Sequence, residues 1–319
     1  MDSNDGMQVL QSAEDFTKAK NKALLTRIQH FMDTDKDRLL SFNDVKEILK
    51  PKNQSYKGMQ VVPVKLIVGS EGRYQDFNQY FLPKSEHLRS RWERVDQAQL
   101  KNITLPPILL YEIGGAYFVR DGNHRVSVAK AQGVESIDAE VISLSSEIAI
   151  KPNQTTDDLR RSLIQYEKNL FYEKTYFGKL TDDYSLDFTQ TGRYDVIYNH
   201  ILVHKYFVNQ GIKKEISFAE AMVSWYKNVY NPIAQIIKEE WIKLDFPGYT
   251  VSDLYVWIVK HWDFLKKKYG VHYSLSKAAK DFTLKYGGGR GKFMRFLSCN
   301  ISKVVAGVAN FLNFSRRGT

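Results

Sequence analysis

An α+β chain, with a small α/β domain followed by an all-α domain, is the architecture that this sequence of 319 residues predicts. Three observations carry it. Between Val61 and Leu144 the chain breaks into short β-forming runs, VVPVKLIV, PPILLYEI, AYFVRD and SIDAEVISL, separated by turn residues and two helical stretches. After Pro152 the runs lengthen and their apolar residues recur at helical spacing. Hydrophobic residues make up 43% of the chain, enough to give each part a core.

Residues 1–58 read as an N-terminal helical arm. Phe16, Ala19, Ala23, Ile28 and Phe31 fall near a helical repeat, and a second short helix follows Ser41, where Ser-Phe-Asn-Asp reads as a capping box. Residues 59–150 hold the α/β domain, its helices expected in HLRSRWERVDQAQL and NHRVSVAKAQ. Residues 151–286 form the helical domain. There Ser217 and Glu220 make another capping box, Gly211 and Gly270 follow helix ends, and Pro232 should break or kink its run because it lacks an N–H. Residues 287–319 begin with a Gly-rich hinge at Gly287-Gly288-Gly289. A basic amphipathic tail follows, striped by Leu297, Ile301, Val304, Val308 and Phe311.

Charge is unevenly placed. The net charge is +10, yet seven basic residues and no acidic ones follow Asp281, leaving about +3 for the rest. DNA or a protein partner is therefore expected at the tail and the helical domain. With 26% charged and 13% aromatic residues, the composition excludes bulk disorder. The single cysteine, Cys299, excludes an internal disulfide or a thiolate metal cage. Arg295, Asn300 and Lys303 interrupt the tail's apolar run, which argues against a transmembrane segment. No charged-then-apolar start is present, so the expectation is a cytoplasmic protein.

The stretch richest in chemistry runs from Tyr117 to Gly133. Apolar β-formers lead into Asp121-Gly122-Asn123-His124-Arg125, and Val126, Val128, Ala129 and Ala131 then open a helix. At such a strand–turn–helix point the first amides lack partners and the helix dipole is positive, which favours an anion. Gly122 lets the anion approach, and His124 and Arg125 add side-chain donors. These features point to a bound phosphate.

The segment from Val61 to Leu144 resembles the ParB/sulfiredoxin superfamily, in which a glycine-containing turn ending in His-Arg opens a helix and holds nucleotide phosphates. PPILLYEI, AYFVRD, the helix and SIDAEVI follow that family's strand-strand-helix-strand order. The resemblance implies a nucleotide ligand, ATP, ADP or CTP, with phosphate contacts from Gly122, Asn123, His124 and Arg125. Asn123 stands where sulfiredoxins carry cysteine, which excludes their thiol chemistry. No short recognition-helix pair of the partition-protein kind follows Pro152. Kinase-like members place an acidic residue after the first strand, where this chain has Glu71. The resemblance then implies Mg-dependent phosphoryl transfer or nucleotide hydrolysis. Glu71 serves as base, Arg73 stabilises the transferred group, and Asp121 acts as a catalytic residue and metal ligand for Mg. Two alternatives stay open: a non-catalytic, nucleotide-switched regulator that binds DNA or protein, and a purely structural use of Glu71, Arg73 and Asp121 as loop charges.

Other signals weigh less. The stretch from Asp33 to Asp44 imitates a calcium loop but has Arg38 where glycine makes the turn and Asp44 where a bidentate glutamate closes the site. His200 and His204, one helical turn apart, sit among Tyr198, Tyr206 and Phe207 and read as packing residues. Gly287-Gly-Gly-Arg-Gly-Lys292 lacks the spacing of a phosphate loop. Trp225, Trp241, Trp257 and Trp262 read as core.

Overall fold

The β-forming runs give the end of β2 (Gln54–Pro63) and strands β3 (Ile67–Ser70), β4 (Ile108–Ile113), β5 (Ala116–Asp121) and β6 (Ser136–Leu144), while β1 (Leu40–Ser41) and most of β2 arise within residues 1–58, expected as purely helical. The computed structural model describes residues 3–29, 38–181, 186–210, 214–239, 242–270 and 272–287. The strands form one six-stranded sheet in the order β1-β3-β5-β4-β6-β2. β3 runs parallel to both β1 and β5, β4 is antiparallel to β5 and parallel to β6, and β2 lies antiparallel to β6. β4 and β5 are joined by Gly114 and Gly115, both at positive φ (60° and 79°), as a tight hairpin turn requires.

The run VVPVKLIV, expected as one strand, is divided. Val61–Pro63 end β2, Val64–Leu66 form a single tight turn, and Ile67 starts β3. Pro63 has no N–H to continue the ladder, and the Val64 amide turns away to the Glu135 carbonyl at 2.9 Å.

Helices α1 (Ser3–Gln29), α2 (Phe42–Leu49), α3 (Arg89–Leu100) and α4 (Asn123–Ala131) complete the α/β unit. Phe16, Ala19 and Ala23 of α1 share a core with Ile67, Trp92, Ile108, Val119, Val126 and Val141. Phe16 meets Trp92 edge-on at 5.6 Å. Each such large side chain stabilises the fold by about 1.5–3 kcal/mol through burial. The compact units are residues 1–162 and 163–319, so residues 1–58 belong to the same unit as the sheet, and the unit boundary falls inside α5 (Thr156–Thr175). Ser41 caps α2 by accepting from the Asp44 amide at 3.3 Å.

The second unit is largely helical. After α5 come α6 (Phe177–Leu180), α7 (Arg193–Asn209), α8 (Phe218–Trp225), α9 (Asn231–Glu239), α10 (Val251–Tyr269) and α11 (Leu275–Tyr286). Ile197, Met222, Trp225, Tyr255, Trp257 and Phe282 lie in its core. Ser217 and Glu220 form the full reciprocal capping box. Gly270 closes α10 at φ 99°, whereas Gly211 lies outside the described residues. Ahead of Pro232 the backbone widens into one π turn, Tyr226–Tyr230, before α9 begins. That turn keeps the preceding carbonyls clear of the proline ring. Among the described residues no helix is long and apolar enough to cross a membrane. The expected tail beyond Gly287 lies outside the described residues.

Candidate functional site

β3 and β5 are parallel neighbours, so the loop after one lies beside the exit of the other. The Glu71 amide donates to the Val119 carbonyl at 3.0 Å, which holds the Glu71–Arg73 loop next to the β5–α4 turn. Gly122 sits at φ 106° as the N-cap of α4 and supplies no side-chain cap. A Cβ there would come within 2.4 Å of Ile108 Cγ2, so the position requires glycine on steric grounds as well as conformational ones. The amides of Asn123, His124 and Arg125 are thus left at a helix start without intrahelical acceptors, carrying the positive end of the dipole.

His124 and Arg125 diverge from this turn. His124 is 6% exposed, meets the Phe77 ring edge-on at 5.6 Å, and its Nδ1 has no hydrogen-bond partner. Burial pushes its imidazole down to about 4, and Arg91, Arg73 and His87 act in the same direction against Asp76. The ring is therefore neutral near neutral pH, within electrostatic reach of the Arg91 and Arg73 guanidinium groups. Arg91 is exposed and, among the described residues, its side chain makes no hydrogen bond or ion pair. Arg73 pairs with Asp76 at 3.0 Å, and His87 Nδ1 lies 2.8 Å from Ser85 Oγ. Asn123 is 8% exposed and its Oδ1 also lacks a donor.

Arg125 turns the other way. Its Nη2 donates to Asp121 Oδ2 at 2.8 Å, and its Nη1 donates to the Pro107 carbonyl at 3.0 Å and to the Pro106 carbonyl. These bonds pin the chain entering β4 to the β5–α4 turn. Expected as half of a phosphate clamp with His124, Arg125 instead fixes the turn, and Asp121 completes the fork. The structure brings together Glu71, Arg73, Gly122, Asn123 and His124 while sending Asp121 and Arg125 to each other.

Asp121 is engaged by Arg125, and among the described residues no group of three or more His, Cys, Asp or Glu side chains is placed to hold a metal. His200 Nδ1 lies 3.1 Å from the Tyr255 hydroxyl and His204 Nε2 lies 2.9 Å from Ser224 Oγ, so each has a separate packing role. Residues 33–37 of the calcium-like stretch, Trp241, Cys299 and residues 288–292 of the glycine-rich motif lie outside the described residues.

Sequence reasoning missed Arg91 and His87. Their nearness to α4 follows from docking α3 on α4 through the buried Trp92, a long-range contact that local spacing does not announce. Comparison with known proteins returned no matching family model, no matching curated protein and no matching solved structure.

Proposed function

We propose that the α/β unit binds a nucleotide through its phosphates, in the way its resemblance to the ParB/sulfiredoxin superfamily implies. The phosphate rests on the first amides of α4, with Arg91 and Arg73 above it. One observation carries this reading: an uncapped helix start flanked by two side chains more than nine-tenths buried, His124 and Asn123, each with an unpartnered polar atom, beside an unpaired arginine. Asn123 Oδ1 needs a donor, which a phosphate does not offer and a ribose hydroxyl or base amino group does. Arg125 contributes by holding the turn in shape, and no step is routed through magnesium.

Calorimetry with ATP, ADP, CTP and GTP, each with and without magnesium, tests the reading. Saturable binding of at least one nucleotide, weakened about tenfold or more by Arg91→Gln, is the expected result, since a charge-assisted bond is worth about 1.5–3 kcal/mol. Absence of binding at millimolar nucleotide, or affinity indifferent to Arg91→Gln and Arg73→Gln alike, overturns it.

Phosphoryl transfer is a second reading, favoured by the main-chain bond that holds Glu71 beside the β5–α4 turn. Under it Glu71 accepts a proton from an attacking hydroxyl, and Glu71→Gln abolishes turnover while sparing nucleotide affinity. Binding without turnover in the unaltered protein selects the rival reading, a nucleotide-switched regulator whose helical unit and basic tail grip DNA or a protein.

A further inference from the structure

At the other end of α4 lies a separate cavity of about 1010 Å³. Seven residues of helix separate Asn123 from Lys130, so this cavity stands roughly 10 Å from the nucleotide site along the helix axis. Its walls come from α1, the β2–β3 turn, the loop before α3 and the end of α4. Among the described residues, the charged side chains lining it are Lys22, Arg38, Lys65, Lys130 and one carboxylate, Glu135. Low-dielectric walls bearing one sign of charge focus field and concentrate counter-ions.

The rest of the lining mixes polar groups, from Thr26, Gln79, Ser136 and residues 152–155, with apolar and aromatic ones. Val64, Leu82 and Val134 supply aliphatic surface, and Tyr80, 43% exposed, offers a ring face at the cavity edge. Lys130 is the most constrained of the cations: its Nζ donates to the Ile67 carbonyl at 2.7 Å and lies 4.8 Å from the centre of the Phe81 ring. Burial lowers that ammonium to about 8, so part of the population carries a neutral, nucleophilic amine near neutral pH. Cations at one side of a chamber of ligand size, with polar, aliphatic and aromatic surface beside them, match a small molecule with a strongly anionic end and an uncharged body.

We infer that this cavity is a second binding site, which takes a small organic phosphate with an aromatic body, its phosphate between Lys22 and Lys65 and its body beside Lys130. The site is independent of the nucleotide-binding turn.

Pyridoxal 5′-phosphate and pyridoxal, offered to the full-length protein near pH 8, make the matched probes. The Lys130 amine adds to the aldehyde carbon, water leaves, and added borohydride delivers hydride to the C=N bond, fixing a secondary amine that peptide mapping locates. Pyridoxal 5′-phosphate should label Lys130 ahead of all other lysines and at concentrations about tenfold or more below those pyridoxal needs. Lys65→Gln, an exposed change, should shrink that advantage while leaving pyridoxal labelling unchanged. Arg91→Gln should leave Lys130 labelling untouched, which keeps a failure here distinct from a failure of the nucleotide reading. Labelling scattered over surface lysines, equal reactivity of the two probes, or an advantage that survives Lys65→Gln and Lys22→Gln together overturns the inference.

Discussion

Trp92 donates its indole N–H to Ser127 Oγ at 2.9 Å, and Ser127 in turn donates to the Phe81 carbonyl at 2.6 Å. All three groups are buried. One hydroxyl thereby ties α3, α4 and the loop between β3 and α3 into a single piece, and fixes the turn of α3 that carries Arg91, whose charge reaches His124. Ser127→Ala would strand a buried indole N–H and a carbonyl. We expect a loss of about 1–3 kcal/mol in urea denaturation, accompanied by weaker nucleotide binding because Arg91 loses its anchorage.

Arg91 and Arg125 should separate binding from stability. Arg91 is exposed and unpaired among the described residues, so Arg91→Gln should leave the melting temperature nearly unchanged and lower nucleotide affinity. Arg125 carries the fork to Asp121, Pro106 and Pro107, so Arg125→Gln should lower the melting temperature by several degrees. Thermal melts and calorimetry on the two variants check the contrast.

Gly122 allows a steric test. Alanine there meets Ile108 and must also hold φ near 106°, which together should cost more than about 2 kcal/mol. Gly72→Ala, in a loop where an added Cβ meets nothing within 4 Å, should be close to neutral. Equal melting temperatures for the two variants would contradict the turn geometry described.

His124 sets a pH dependence with a definite sign. Its folded-state value of about 4 lies below the ordinary 6.5, so the folded form resists the proton that the unfolded chain accepts. Above pH 6.5 both states are neutral at this ring and it has no effect. As pH falls from 6.5 toward 4, stability should drop by about 1.4 kcal/mol per pH unit from this group, and below that window its slope should vanish. Hydrogen exchange of the α4 amides across this range, compared with His124→Gln, reads the contribution separately from that of His200 in the other unit. Bound phosphate favours the imidazolium, so nucleotide should raise the His124 titration midpoint in the NMR spectrum.

Much of the fold was legible because its signals are local. β5 follows AYFVRD letter for letter, β6 follows SIDAEVISL, and the Asp121-Gly122 punctuation marks the turn into α4. Ser217 and Glu220 start a helix where their spacing said they would. The two residues of β1 carry too little pattern to be seen, since their strand exists only through pairing with β3, where Gly69 lets the Leu40 carbonyl come close. The site was legible in half. Strand, turn and helix start announced the amides and His124, whereas Arg91 arrives through the packing of Trp92 and Arg125 is drawn away by carbonyls that only the folded chain presents.

Amide resonances of Asn123, His124 and Arg125, followed in a ¹⁵N-labelled sample during titration with ADP, test the central claim most directly. Saturable shifts centred on those three amides, weakened in Arg91→Gln, are predicted. Spectra in which these resonances stay fixed at millimolar ADP while others move, or in which nothing moves, would contradict it.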